Sequence, residues 1–338
     1  MVSPVLKFEA LDRERQVHRA DVLFDSNVIR AKDDDAEKKL HALTEVLVAH
    51  PDQGNIWFAL MSLSELIASK SAEIRIELLK RFRNLYLKFG GRVRFMRSLA
   101  DNVRAECIAS PFPSGIASDV DEDIVKSIEA GDLVGLLQEG HEDWLSEKTR
   151  LREKYDEFGN RDEKTYAERA DIRFALAQNI STYFSFAGLE QCDDIAAELI
   201  ADLGSSGSSL TLDAVKARYE DYPCIWTFSL LARLAQYAQT IPEEERERNF
   251  ASFQDVLEPH PNDFIDADIA GTGAHCGMMI TNDRRLIAKL NRLYDASLIR
   301  MQGFTVSDAL VAYIPPNAHA GAARGLTLAP RLFEDPHR

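Results

Sequence analysis

A short apolar run that ends in an aspartate is the feature that most restricts how this chain can fold. The run VLF at residues 22–24 is followed directly by Asp25 in a polar turn. An unbroken apolar run of this length is typical of a strand covered on both faces, as in a parallel sheet flanked by helices. A second strand-like run, GMMITND at residues 277–283, also ends in an aspartate, Asp283. The sequence therefore predicts an α/β fold whose strands end in carboxylates.

The segments between these two runs have mostly helical periodicity. The first part of the chain is predicted to have a βααβα order, which is typical of a parallel sheet with flanking helices. The predicted elements after the first strand are helices at 56–70 and 72–89, a strand at 92–96 and a helix at 99–108. Gly90 and Gly91 are expected to end the second helix.

A boundary is predicted at residues 110–115, where the segment SPFPSG combines prolines, serines and a glycine. From there to residue 240 only helical periods occur, broken by glycines and by GSSGSS at 204–209. The sheet pattern then returns, with a helix at 261–276, the strand at 277–283, a helix at 284–296 and a strand with a turn at 297–306. We therefore predict an α/β domain in two parts, 20–108 and 250–314, a helical insertion at 109–249 and a tail at 315–338.

Composition restricts the class of protein. The chain has 338 residues, of which 45% are hydrophobic and 28% charged, as in ordinary globular proteins. Its beginning lacks a signal-like apolar run, and no stretch of about 18 apolar residues occurs. The four cysteines are widely separated, so neither a disulfide framework nor a paired-cysteine zinc site is indicated. The sequence predicts a cytoplasmic protein that does not enter a membrane.

The charge is unevenly distributed. The net charge of −15 argues against a polyanionic partner, yet residues 70–104 contain ten basic and three acidic residues. Such a segment is typical either of a solvated helix face or of a nucleic-acid footprint. The candidate nucleic-acid-binding residues are Arg81, Arg83 and Arg94, together with Arg284, Arg285 and Arg292 beside the last strand.

Acidic residues form the candidate site. Asp25 and Asp283 follow strands, and in open parallel sheets reactive groups gather at the carboxyl ends of strands. Glu65 lies at the border of the apolar stripe of its helix. Asp266 and Asp268 are two positions apart and so point in roughly opposite directions on a helix. Of these two, Asp266 is preferred because it shares a face with apolar and small residues.

Clustered carboxylates need a cation or protons between them, because otherwise they repel and raise each other's pKa values. Hard oxygen ligands of this kind suit Mg²⁺ or Mn²⁺. Each acid also has a structural alternative. Asp283 could cap the next helix, Asp266 could stabilise a first helical turn, Asp25 could form a turn and Glu65 could be solvated. His275 and Cys276 are interpreted as packing residues.

Three segments, taken in order, resemble the PIN-domain family. They are LFDSNVI at 23–29, ALMSLSELIAS at 59–69 and FIDADIAGTGAHCGMMITNDRRL at 264–286. The resemblance covers 20–108 and 255–306 and implies a three-layer α/β/α fold with a central, mostly parallel sheet, here interrupted by the helical insertion. Carried over by position, the metal-binding and catalytic acids fall on Asp25, Glu65, Asp266 and Asp283, with Asp268 as an alternative third ligand. Ser26 and Asn27 follow the first acid as in the family. We expect Asn27 or Thr281 to orient a water or a ligand carboxylate.

The function implied by the resemblance is metal-dependent endonuclease activity, with RNA favoured over DNA as the substrate. One alternative is a non-catalytic PIN-like module that binds a protein or has a regulatory role. Another is a structure-selective DNA nuclease, which the acidity of the insertion disfavours. The length of the chain also disfavours a compact toxin. The insertion is expected to bind a protein partner, to mediate self-association or to shape access to the cleft.

Overall fold

The structure is a computed structural model that accounts for parts of the chain separated by gaps. It describes residues 21–31, 34–49, 55–67, 71–96, 98–108, 122–131, 145–146, 148–153, 156, 192–203, 210–217, 221–240, 244 and 258–313. The predicted boundary at 110–115, the GSSGSS segment and the tail at 315–338 lie outside these residues.

A five-stranded sheet forms the centre of the fold, and every strand pairing in it is parallel. The spatial order is β3-β2-β1-β4-β5, so β1 at the centre is flanked by one strand from each half of the chain. The strands are β1 (Val22–Phe24), β2 (Ile56–Ala59), β3 (Val93–Met96), β4 (Met278–Ile280) and β5 (Gln302–Phe304).

Helices cover both faces of this sheet, which makes the protein a mixed α/β fold. In the first half they are α1 (Ser26–Arg30), α2 (Asp34–Ala49), α3 (Leu60–Ile67), α4 (Ala72–Phe89) and α5 (Leu99–Ile108). The middle of the chain contains α6 (Glu122–Ala130), α7 (Asp193–Leu203), α8 (Leu212–Ala217) and α9 (Pro223–Thr240). The last part contains α10 (Asp263–Thr272), α11 (Arg284–Asp295) and α12 (Val306–Tyr313). Among the described helices, none has the length and apolarity needed to cross a membrane.

The strands are apolar throughout because successive side chains enter two different hydrophobic clusters. Leu23 and Met279 belong to one cluster, whereas Phe24 and Ile280 belong to the other. Side chains alternate between the faces of a strand, so a strand covered on both sides needs apolar residues at every position. The predicted strand at 22–24 is confirmed, and the sheet is parallel in all five strands rather than mostly parallel.

The predicted helix at 56–70 is wrong over its first four residues. Ile56 to Ala59 form β2, which pairs with β1 and β3, and the helix begins only at Leu60. An apolar run as short as IWFA fits a buried strand or a buried helix, and periodicity alone does not separate them. The predicted βααβα order therefore lacks strand β2 and two helices, and the observed order is βααβααβα. Helices α1, α2 and α12 were not anticipated.

Helix α4 is where local sequence determines structure most completely. The predicted range 72–89 is confirmed, with Ser71 as an N-cap that accepts a hydrogen bond from the Ile74 N–H at 3.5 Å. Gly90 follows with a φ of +59°, a left-handed conformation that glycine adopts without strain. The predicted helix at 99–108 and strand at 92–96 are confirmed as α5 and β3, although Arg92 belongs to a preceding 3₁₀ turn.

Helix α9 lies within the predicted insertion, yet it is part of the main core. Its residues from Pro223 to Ala238 are buried, and Trp226 and Leu230 belong to the same cluster as Leu23 of β1. A helix that is buried around its whole circumference is typical of a protein interior. This part of the insertion therefore shares a core with the sheet. The division of the chain at 109 and 249 stays a prediction, because much of that range lies outside the described residues.

Candidate functional site

Asp25 is buried, with 6% of its surface exposed. It follows β1, and its N–H donates to the Ile280 carbonyl at 3.0 Å, which fixes it beside the end of β4. The Thr281 hydroxyl donates to Asp25 Oδ2 at 2.8 Å. Burial, and next the nearby charge of Glu65, raises the pKa of Asp25 to about 6. Ionisation of the Asp25 carboxyl group is therefore costly at this position.

Glu65 on α3 joins Asp25 through a shared hydroxyl. The Ser26 Oγ donates to Glu65 Oε2 at 2.6 Å and lies 3.4 Å from Asp25 Oδ1. Ser26 is buried at the start of α1, so its hydroxyl lies between the two carboxylates. The predicted association of Asp25, Ser26 and Glu65 is therefore present in the fold.

Asp266 brings the second half of the chain into this group. It lies in the first turn of α10, and burial raises its pKa well above the ordinary value of an aspartate. The charges that raise it further are those of Asp283, Asp25 and Asp263, in that order, while Lys289 acts in the opposite direction. Asp268 is buried. It lies two positions after Asp266, so its side chain leaves the helix from a different face. The acid brought to Asp25 and Asp283 is Asp266.

Asp283 belongs to the acidic group and also caps α11. Its Oδ1 accepts hydrogen bonds from the N–H groups of Arg285 at 2.9 Å and Leu286 at 3.1 Å. Its side chain is 22% exposed, and the Arg285 guanidinium lies 3.8 Å from Oδ2. The capping role considered from the sequence is therefore real, and it orients the carboxylate at the edge of the group. We call Asp25, Glu65, Asp266 and Asp283 the acidic cluster.

A polar network ties together the two turns that carry the cluster. The Asn27 side-chain amide donates to Thr281 Oγ1 at 2.8 Å, and the Asn282 N–H donates to Asn27 Oδ1 at 2.8 Å. Thr281 Oγ1 also accepts from the Asp283 N–H at 3.1 Å. Because Thr281 donates to Asp25, it is bonded to both strand-end acids. Thr281 therefore holds the turn of each strand-end acid, and Asn27 holds Thr281.

Asp263, one turn before Asp266 on α10, has a different environment. Its Oδ1 accepts a hydrogen bond from the Lys289 ammonium at 2.5 Å, and its Oδ2 accepts from the His260 N–H at 3.0 Å. Both members of this ion pair are buried. The pair joins α10 to α11, the two helices that carry Asp266 and Asp283.

Among the described residues, Arg30, Arg285 and Lys148 lie beside the acidic cluster, in addition to Lys289. The Arg30 guanidinium donates to the main-chain carbonyl of Glu65, and Arg285 lies next to Asp283. Lys148 comes from the predicted insertion; burial lowers its pKa, and the charge of Glu65 opposes that effect. The sequence analysis identified only Arg285. Arg30 was detectable as the residue one helical turn after Ser26, whereas nothing in the sequence relates Lys148 to Glu65.

The other predicted basic residues lie elsewhere or have structural partners. Arg81 donates to the Ala31 carbonyl at 2.8 Å and pairs with Glu77 at 2.7 Å. Arg83 donates to the Ile128 and Glu129 carbonyls at the end of α6. The side chains of Arg94 on β3 and of Arg284 and Arg292 on α11 are exposed. The structure therefore brings Arg285 to the acidic cluster and gives Arg81 and Arg83 roles in holding helices together.

A second group of potential ligands lies at the other end of α10. Glu106, Cys224 and His275 place one carboxylate oxygen, one thiol sulfur and one imidazole nitrogen within 4.8 Å of one another. Such a group could hold a metal ion. From the sequence, His275 was interpreted as a packing residue, and Glu106, 169 residues away, was not among the candidates. We call these three residues the Glu106 junction.

Comparison with known proteins gives no family. No family model matches the chain, and no similar protein was found among curated proteins or among solved structures.

Proposed function

We propose that this protein is a PIN-like metal-dependent endonuclease that hydrolyses phosphodiester bonds and prefers RNA to DNA. The observation that carries the proposal is the meeting of Asp25, Glu65, Asp266 and Asp283, which come from distant parts of the sequence to one edge of a parallel sheet. Burial and mutual charge raise the pKa values of Asp25 and Asp266 there. Groups with pKa values perturbed in this way are typical of functional sites.

The chemistry of the donor set suits Mg²⁺ or Mn²⁺, although no three of these four described carboxylates have oxygens within 4.8 Å of one another, so metal binding would draw them closer. Its groups are carboxylates, which these hard cations prefer, and a divalent cation would stabilise the charges that burial and, next, mutual repulsion now disfavour. Asp25, Asp266 and Asp283 would be the ligands, together with Glu65. When bound, the metal supplies a water of lowered pKa as the nucleophile and stabilises the charge on the phosphate and the leaving oxygen. No covalent intermediate with the protein is needed.

Neighbouring side chains would hold the ligands in place. Thr281 donates to Asp25 and accepts from the Asp283 N–H, and Ser26 donates to Glu65. Outer hydrogen bonds of this kind fix the orientation of ligand carboxylates. Arg30, Lys148 and Arg285 lie beside the cluster and would contact the phosphates on either side of the scissile bond. Together these contacts would align a single-stranded backbone across the cluster.

RNA is proposed over DNA by analogy with the PIN-domain family, and this part of the proposal rests on resemblance rather than on a contact. The non-catalytic module and the structure-selective DNA nuclease are alternatives that the same assay separates. The cytoplasmic location stays a prediction.

The test is to measure Mn²⁺ binding by calorimetry and cleavage on a panel of single-stranded and structured RNA and DNA. We expect Asp25→Asn, Glu65→Gln, Asp266→Asn and Asp283→Asn to abolish cleavage. Each should weaken Mn²⁺ binding by at least the ~10–100-fold that loss of an outer partner costs at a metal site. Asp268→Asn separates the two candidates for the third ligand and should leave Mn²⁺ binding in place.

Asp101→Asn is the matched control, because Asp101 lies at the first turn of α5 and bonds to Ser98 and Arg104. Its cleavage and binding should equal those of the unmodified protein. Unchanged Mn²⁺ binding in all four cluster variants would reject the metal site. Metal binding without cleavage of any substrate would favour the non-catalytic module, and cleavage confined to branched or flapped DNA would favour the DNA nuclease.

A further inference from the structure

The Glu106 junction is formed by three distant segments of the chain. Glu106 lies on α5, Cys224 is the second residue of α9 and His275 lies in the turn between α10 and β4. Because His275 precedes β4 and Asp283 follows it, the junction and the acidic cluster lie at opposite edges of the sheet. The junction is therefore separate from the proposed nuclease site.

The hydrogen bonds of Glu106 already bring the three ligand groups together. Its carboxyl oxygens accept from the Cys224 N–H at 2.7 Å and the Ile225 N–H at 3.2 Å, and His275 Nε2 lies 3.2 Å from Oε1. The Cys224 thiol also hydrogen-bonds to the Glu106 carboxyl, so a metal ion would take the place of the thiol proton between them. Glu106 and Cys224 are both buried, and the His275 side chain is 18% exposed.

We propose that Glu106, Cys224 and His275 bind a Zn²⁺-like cation. Thiolate, imidazole and carboxylate are the three ligand types that zinc takes in proteins, whereas thiolate and imidazole disfavour Mg²⁺. Metal–ligand bonds of about 2.0–2.3 Å place tetrahedral ligand atoms about 3.3–3.8 Å apart. The three atoms already lie within 4.8 Å, so side-chain adjustments of about 1 Å would close the site.

Charge balance also favours this cation. One carboxylate and one thiolate neutralise a divalent ion, and a neutral group is far less costly to bury than a charged one. Binding would displace the thiol proton of Cys224 and any proton held between Glu106 and His275, and both protons would pass to solvent. A water could complete the coordination at the exposed edge of His275.

The consequence for the fold would be a link between α5, α9 and the turn before β4. Helix α9 comes from the middle of the chain and is buried in the core, so this ion would fix its first turn to elements of both sheet halves. The site goes beyond the proposed nuclease function and does not depend on it.

Cobalt is a suitable probe, because Co²⁺ substitutes for Zn²⁺ and a thiolate ligand gives a sulfur-to-cobalt charge-transfer band. Chelator-treated, reduced protein should bind one equivalent of Co²⁺ at this site, and Zn²⁺ should remove the band by displacement. Cys224→Ser should abolish the band, and His275→Gln should weaken Co²⁺ binding about tenfold or more. Cys192→Ser is the matched control, since Cys192 is another buried free thiol, and it should retain the band.

Absence of the band, or a band that persists in Cys224→Ser, would overturn the proposal. If Cys224→Ser fails to fold, His275→Gln tests the proposal instead, because unchanged Co²⁺ affinity in that variant would also overturn it. The two metal proposals fail independently. Asp25→Asn should keep the Co²⁺ band and lose Mn²⁺ binding, whereas Cys224→Ser should do the reverse.

Discussion

The two ends of helix α10 bury carboxyl groups in opposite ways. At the acidic cluster, Asp25 and Asp266 meet other carboxylates, which add to the effect of burial on their pKa values. At the Glu106 junction, burial raises the pKa of Glu106 to about 8, but backbone N–H groups and Arg300 act in the opposite direction. A raised pKa therefore does not identify a catalytic acid by itself. The acidic cluster and the Glu106 junction differ in whether the neighbouring groups repel the negative charge of the carboxylate or stabilise it.

Asp263 provides a reference on the same helix as Asp266. The two residues are one turn apart, yet Asp263 is paired with Lys289 while Asp266 is surrounded mainly by acids. Asp263 already places a negative charge in the first turn of α10, where the helix dipole favours one. Helix α10 therefore does not need Asp266 for its dipole, which supports the proposed role of Asp266 as a metal ligand.

The largest effect should come from breaking the buried ion pair. Lys289→Met would leave Asp263 buried beside an apolar side chain, and losing one member of such a pair costs about 3–5 kcal/mol. Chemical denaturation should show this loss in the free energy of unfolding. The matched variant Lys80→Met changes an exposed lysine on α4 and should alter stability by about 0.5 kcal/mol or less. Equal effects of the two variants would mean that Asp263 is not a structural carboxylate.

Asp25→Asn should instead stabilise the metal-free protein. The pKa of Asp25 is raised from 3.8 to about 6, so the folded state holds its proton more tightly than the unfolded state does. Stability from this group is fully present below about pH 4 and is lost as the pH rises through 6. At pH 7–8 in chelator the variant should therefore be more stable by up to about 3 kcal/mol, and the difference should vanish near pH 4.

This gain is measured by denaturation at several pH values, with Asp101→Asn as the control that should show no such trend. Saturating Mn²⁺ should reverse the order, because it binds the folded unmodified protein and not the variant. A variant that is less stable than the parent at pH 8 in chelator would contradict the repulsion argument.

Glu106→Gln should have the opposite sign from Asp25→Asn. The measurement is made at pH 6.5, which is below the pKa of about 8 for Glu106. Two neutral side chains are then compared, a carboxylic acid and an amide. An amide NH₂ placed at either carboxyl oxygen would face the Cys224 or Ile225 N–H, so two donors would meet. The expected loss is about 1–3 kcal/mol, the cost of an unsatisfied buried polar group. A gain in stability would show that the junction, like the acidic cluster, stores repulsion.

The smallest effect concerns the basic residues. If RNA phosphates meet Arg285, then Arg285→Gln should reduce the slope of log affinity against log salt by about 0.7, measured in chelator to prevent cleavage. Arg81→Gln should leave this slope unchanged, because Arg81 is bonded to the Ala31 carbonyl and to Glu77. A lower slope for Arg81→Gln instead would restore the footprint predicted at 70–104.

Sequence alone located the elements whose local signals are strong. Helix α4 has an N-cap serine, an apolar stripe and a terminal glycine, and its predicted and observed ranges agree. Strand β2 lacked such signals, since its four apolar residues acquire their structure from pairing with β1 and β3. Tertiary pairing decides such short runs, which is why the predicted helix at 56–70 began four residues too early.

The acidic cluster was predictable because each acid is next to an element that the sequence reveals. Asp25 and Asp283 end strands, and helical geometry distinguished Asp266 from Asp268. Lys148 and the Glu106 junction were not predictable, because none of their residues directly follows a predicted strand or has a local pattern that distinguishes it. Their position is set by how α9 and the segment 148–153 pack on the sheet, and single-sequence patterns do not record it.

The placement of β4 next to β1 has a consequence for synthesis of the chain. Thr281 must reach Asp25 across 256 residues, so one side of the central strand has no partner until the last part of the chain emerges. At ~5–20 residues per second this wait lasts roughly 10–50 s. We expect nascent chains stopped before residue 278 to be protease-sensitive and to bind chaperones, whereas chains extended past residue 313 should become resistant. Equal resistance at both lengths would show that β1 is protected before β4 arrives.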